Sequence, residues 1–185
     1  MIITFTGHRP DKLGGYDFFS PLNNEIRKYF GNFLNKYIRN YTNIQFITGG
    51  AIGFDQMAFH ICKILRDDIY TKESIILELA VPFKKQYMMW NDVDKQRHFE
   101  HIKLADKVTE VDTLEKYKCD KVPIEWYHRD KMQLRNMYMV DNADLVIALW
   151  NNSKGGTANC INYAKKLKKE VIIINPSIFS KVEAF

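Results

Sequence analysis

Two short apolar runs in this chain end at glycine and a third is followed, after four residues, by a glycine pair, and that repeated punctuation constrains the fold more than any other feature. The first runs from Ile2 to Thr6 and breaks at Thr6-Gly7-His8-Arg9-Pro10; the second covers 44–48 and breaks at Gly49-Gly50-Ala51-Ile52-Gly53-Phe54-Asp55. The third covers 145–150 and is followed by Gly155-Gly156-Thr157. β-Branched and aromatic runs of this length, bounded by glycine, read as buried strands. The second and third lead directly into segments of helical period, which makes them strand-to-helix turns.

The rest of the chain repeats the alternation. From Leu22, apolar residues recur at Ile26, Tyr29, Phe30, Phe33, Leu34, Tyr37, Ile38 and Tyr41, the spacing of a long amphipathic helix. A second helix carries Phe54, Met57, Ala58, Ile61, Cys62 and Leu65 on one face. Residues 74–81 are almost continuously apolar around Glu78 and stop at Pro82, as a strand covered on both faces does. Residues 92–104 read as a polar helix and 107–111 as a strand, while 112–128 show no period and form an excursion. Residues 129–143 predict a helix with Met132, Met139, Val140 and Ala143 inward, 157–168 a further helix, and 171–174 a last strand. Strands alternating with helices imply right-handed crossovers. The expected class is therefore α/β: a doubly wound, mainly parallel sheet with helices on both faces, Rossmann-like, whose ligand sits beyond the carboxyl ends of the strands.

Length and composition set the frame for that reading. At 185 residues, with 46% hydrophobic and 26% charged residues, the chain fits one globular domain over 1–185. No internal repeat, low-complexity segment or linker divides it. The start, Met1-Ile2-Ile3, has neither the basic region nor the apolar length of an export signal, so a cytoplasmic location is expected. Cys62, Cys119 and Cys160 are odd in number and lack paired metal spacing, which argues against disulfides and zinc, and no metal or other cofactor is expected. The net charge of +5 and pI of about 9.0 suit a phosphate-bearing partner. The densest basic run, Lys165, Lys166, Lys168 and Lys169, reads as a solvated helix end complementing the dipole.

The three glycine turns carry the candidate chemistry. Gly7 permits close backbone approach, His8 offers a ring donor, and Arg9 can form paired hydrogen bonds to phosphate or carboxylate. Gly49, Gly50 and Gly53 open a helix whose free N–H groups and dipole favour an anion. This turn is neither a Walker A loop nor a dinucleotide fingerprint. Asp55 either caps that helix or accepts a hydrogen bond from a ligand ribose. Gly155, Gly156 and Thr157 form a second cradle, although a helix N-cap accounts for Thr157 alone. Trp90 and Tyr87 can stack on a base or belong to the core. Arg135, beside Asn136, either reaches a phosphate or pairs with Asp130 or Asp141. His60 reads as structural, and no His-Asp-Ser arrangement emerges.

Taken together, Thr6-Gly7-His8-Arg9-Pro10, Gly49-Gly50-Ala51-x-Gly53-x-Asp55, Pro82 with Gln86 and Trp90, Arg135-Asn136-x-x-Met139-Val140-Asp141 and Gly155-Gly156-Thr157 resemble the YpsA-like branch of the SLOG superfamily. The resemblance implies a Rossmann-like fold related to the lonely-guy phosphoribohydrolases and to the DNA-processing protein DprA. It also implies recognition of nucleotide-derived signals such as ADP-ribose relatives, and a homo-oligomer. Lonely-guy enzymes carry G-G-x-G-T-x-x-E, with a glutamate serving hydrolysis. Here the glutamate position falls on Cys160, and Arg135 is followed by Asn136 in place of lysine.

Three readings follow. The leading one is a binding module that senses or sequesters a nucleotide, ADP-ribose or NAD-related ligand. The second is an N-glycosidic hydrolase using Asp55 or Glu78 to orient water or a ribose hydroxyl. The third is a single-stranded nucleic-acid binder, suggested by the basic pI and the DprA relationship but lacking a basic stripe interleaved with aromatics.

Overall fold

Strand segments that lack polar residues on either face must be covered twice, and the sheet shows this directly. In the computed structural model, which describes residues 1–71 and 73–179, strands β1 (Ile2–Gly7), β2 (Ile44–Thr48), β3 (Ile75–Val81), β4 (Lys107–Glu110), β5 (Leu145–Leu149) and β6 (Glu170–Ile174) form one sheet. Every pairing is parallel, in the order β4-β3-β2-β1-β5-β6. All five residues of β5 are buried, whereas the edge strand β4 is polar and partly exposed. Connections from β1 run outward to β2, while β5 joins β1 on its other side. The switch point therefore lies between β1 and β5, where two strand ends diverge and leave a crevice.

Helices α1 (Pro21–Ile38), α2 (Phe54–Ile64), α3 (Asp92–Leu104), α4 (Arg129–Asp141) and α5 (Gly156–Lys166) complete the two layers. Ser20 caps α1 through its side chain, and Pro21 occupies the first turn, where its missing N–H costs nothing. Alternation along the strands sorts the core. Ile3 and Phe5 of β1, with Leu145 and Ile147 of β5, face Ile26, Phe30 and Leu34 of α1 and Phe54, Met57 and Ala58 of α2. On the opposite face Val146 packs with Val140 of α4 and Cys160 and Ala164 of α5, and Ile47 and Ala80 pack with Tyr138 and Met139. Met139, Val140 and Ala143 are buried as expected. Met132 is not: it lies at a cleft rim.

The aperiodic stretch before α4 is ordered by a buried cation rather than by an apolar stripe. Lys131 donates from Nζ to the carbonyls of Pro123 (2.8 Å) and Ile124 (2.9 Å) and pairs with Asp112 at 2.7 Å. Two short 3-10 turns, Val111–Thr113 and Glu115–Tyr117, lead into this loop. The Asp112 carboxylate also accepts from the backbone N–H of Cys119. Among the described residues, no helix is long and apolar enough to cross a membrane.

Candidate functional site

A cleft of about 240 Å³ opens at the switch point, beyond the ends of β1 and β5. It brings together Gly7, His8 and Arg9 from the end of β1, Asp55 from the first turn of α2, Arg135 and Asn136 from α4, and Gly155, Gly156 and Thr157 at the start of α5. Asp11, Lys12, Ser153 and Lys154 complete its rim. The Lys12 ammonium donates to Ser153 Oγ at 2.9 Å and so joins the two loops across the mouth.

Gly155 has φ +145°, and Gly156 begins the helix. A Cβ added at either would meet nothing within 4 Å, so both backbones border open space. The first N–H groups of a helix have no intrahelical acceptor, and at α5 they carry the positive end of the dipole. No side chain caps this terminus. Thr157, expected either to hold a phosphate or to cap, instead donates its hydroxyl to the carbonyl of Gly7 at 2.9 Å, fastening α5 to β1. His8 acts as an acceptor: the Asn151 backbone N–H donates to its Nε2 at 3.0 Å. Burial lowers the His8 pKa, so at neutral pH its ring proton is on Nδ1.

Arg135 is the most constrained charge in the cleft. It is 5% exposed, and its Nη1 donates to Asp55 Oδ2 at 3.1 Å. Burial lowers its pKa, and the Asp55 carboxylate opposes that shift. Its Nε is buried without a protein acceptor. Arg9 lines the same cleft and is exposed. Asp55 thus neither caps α2, whose cap position is Gly53, nor stands free; it anchors the guanidinium.

Glycines of the second turn serve a different purpose from those of α5. Gly49, Gly50 and Gly53 do not line the cleft; they make the close packing beneath it possible. A Cβ on Gly49 would lie 1.4 Å from Arg135 Nη1, and one on Gly53, at φ +103°, would lie 2.5 Å from the His8 carbonyl oxygen. Gly50, at φ +65°, packs on Leu79. Gly7 likewise leaves space for the Phe54 ring.

Three further residues stand outside the cleft. Glu78 accepts from Tyr138 (2.5 Å) and Thr109 (2.7 Å) on one oxygen and from Gln45 (2.6 Å) and Lys107 (3.2 Å) on the other. A carboxylate so saturated ties β2, β3, β4 and α4 together and has no path to the cleft. Trp90 lies in a neighbouring groove and packs edge-on against His98. Asp141, at the end of the Arg135-Asn136 motif, accepts from Tyr117, Tyr163 and Lys116, a clasp between α4 and its neighbours. Sequence reasoning missed the cleft residues Asp11, Lys12, Ser153 and Lys154; the polar Ser153-Lys154 pair directly before Gly155 was the available signal. Among the described residues, no cluster of three or more His, Cys, Asp or Glu is arranged to hold a metal.

Fold and topology define a Rossmann-like α/β protein with a cleft at the switch point of its sheet. The chain belongs to the YspA SLOG family, which it matches over residues 3–175. It is 37% identical over 133 residues to the SPbeta prophage-derived protein YoqJ of Bacillus subtilis, covering 72% of this chain and 76% of that protein. It is 23% identical over 170 residues to the UPF0398 protein BH1768 of Halalkalibacterium halodurans, covering 91% and 82% respectively. Among solved structures, DNA processing protein A from Helicobacter pylori, described for its single-stranded DNA binding mode, superposes with TM-score 0.57 at 15% identity. That match covers 94% of this chain but 64% of the other, and at this identity it is a likeness of fold.

Proposed function

We propose that the cleft binds the phosphate of a nucleotide-derived small molecule, of the ADP-ribose or NAD-related kind, and that the protein senses or sequesters that ligand in the cytosol. The observation that carries this reading is the Arg135 guanidinium, buried, fixed by Asp55, and left with an Nε donor that has no protein acceptor. A buried donor without a partner is costly, by about 1–3 kcal/mol, and an anion in the cleft offers the missing acceptor. The uncapped terminus of α5 and Arg9 supply the remaining positive potential around the same space. Gly156 and Thr157 present their backbone N–H groups to the phosphate, Arg9 reaches it from the rim, and Asn136 and the second Asp55 oxygen meet the adjoining sugar. Membership of a SLOG family supports a nucleotide-related ligand.

Thermal unfolding with NAD, ADP-ribose, AMP and ADP, each beside its dephosphorylated nucleoside, tests the reading. Stabilisation by phosphate-bearing members only, reduced in Arg9→Ala by about 1.5–3 kcal/mol of binding energy, is expected for a charged hydrogen bond. Equal response to nucleosides and nucleotides, or none to any, refutes it.

A further inference from the structure

A second and larger concavity, of about 680 Å³, adjoins the cleft. Phe83, Met88, Met89 and Trp90, from the segment after β3, form one wall, and Trp126 and Tyr127, from the loop before α4, form the other. Arg9 and Met132 border both cavities, so the two spaces adjoin at these side chains. Met89 is 95% exposed and Trp126 and Tyr127 are each 66% exposed, an unusual gathering of aromatic and thioether surface. The groove has fixed walls: a Lys85–Glu125 ion pair joins the two segments, and Phe83 meets Tyr127 edge-on.

Charge on these walls identifies what fits. Lys85 and Glu125 compensate one another, and Arg9 stands at the end shared with the cleft, so the groove offers no second anion site. A flat aromatic heterocycle suits such walls, because its two faces meet the aromatic and methionine side chains and it carries no charge that the groove would have to compensate.

We propose that this groove holds the base of the nucleotide whose phosphate occupies the cleft, with the ribose passing Arg9 and Met132. This inference rests on the phosphate reading above and adds the base as a specificity element. It makes Trp126 and Met89 stacking residues.

Isothermal titration with ribose 5-phosphate, AMP and ADP-ribose separates the two claims. The native protein should bind AMP and ADP-ribose at least tenfold more tightly than ribose 5-phosphate. The double variant Trp126→Ser/Met89→Ser, altered only at exposed positions, should lose that tenfold while its affinity for ribose 5-phosphate stays unchanged. If ribose 5-phosphate binds and the base adds nothing, the groove proposal falls and the phosphate reading stands. If no phosphate-bearing probe binds, both fall. Tighter binding of an oligothymidylate than of AMP, lost in the double variant, would make the groove a nucleic-acid surface and overturn the proposal. A change of oligomeric state in the double variant, with AMP affinity unaltered, would make it an interface between copies and overturn it as well.

Discussion

Replacing Gly156 with aspartate places a negative charge where the uncapped end of α5 meets the cleft, and the consequences for folding and binding separate cleanly. An added Cβ meets no atom within 4 Å, and Gly156 does not occupy the left-handed region, so the fold gains no clash. An acidic residue in the first helical turn complements the dipole by about 0.3–1 kcal/mol, so stability should be unchanged or slightly raised. A bound phosphate would lie about 4 Å from the new carboxylate, where two unit charges repel by ~1 kcal/mol at the dielectric of water and ~4 kcal/mol at an effective value of 20. For this half-open cleft the loss lies between those limits, a weakening of about fivefold to a thousandfold in Kd. Titration calorimetry with AMP and ADP-ribose measures it, and the deficit should grow as ionic strength falls. Gly156→Asn, similar in size but neutral, isolates the charge and should lose much less. A Gly156→Asp protein with native melting temperature and undiminished affinity would refute the placement of phosphate at α5.

Gly49→Ala should act in the opposite manner, destabilising by about 2–4 kcal/mol in urea unfolding, because its Cβ would sit 1.4 Å from Arg135 Nη1 and displace the buried ion pair. Arg135→Met alone should cost about 3–5 kcal/mol by leaving Asp55 buried and unpaired, and Asp55→Leu in the same chain should recover most of it; a double-mutant cycle that shows simple additivity would contradict this. Burial holds His98 at a pKa of about 4 and His101 at about 3, both below 6.5, so the unfolded chain takes up protons first on acidification. Stability should be full above pH 6.5 and decline towards pH 4 and 3, by no more than about 1.4 kcal/mol per pH unit for each histidine. His101→Phe, which keeps the stack on Phe59 (4.3 Å between centroids), should flatten that decline in urea midpoints between pH 7 and 4.5.

The sheet was legible because its strands are apolar on both faces and its helices carry 3.6-residue stripes; these patterns record burial directly. The strand order places the Thr6, Gly49 and Gly155 turns along one edge, and the sequence pattern anticipated that much. What pattern could not resolve was the work of individual glycines. Gly49 and Gly156 look alike in sequence, yet one is small because a guanidinium needs its space and the other borders open solvent. That difference depends on Arg135, eighty-six positions away from Gly49, a distance over which local periodicity carries no information. The loop before α4 was opaque for a related reason: its organiser is Lys131, a charged residue whose burial depends on carbonyls and a carboxylate arriving from other turns. Trp126 and Tyr127 lay within that opaque stretch, so the second wall of the groove beside Trp90 was hidden with it.

The same geometry bears on turnover. The resemblance to lonely-guy enzymes puts Cys160 where their hydrolytic glutamate stands, and Cys160 is fully buried between Val146 and Ala164. Burial pushes its thiol up to about 12, with Thr6 and Arg135 only partly offsetting that, so at neutral pH it is a protonated packing group without basic character. Among the described residues the carboxylates lining the cleft are Asp11 and Asp55, and Asp55 is engaged by Arg135. That contact occupies Asp55 Oδ2. With Cys160 buried and protonated and Asp55 held by Arg135, the groups at the cleft offer more to a negatively charged ligand than to a proton transfer, and this is the ground on which binding is proposed in preference to hydrolysis.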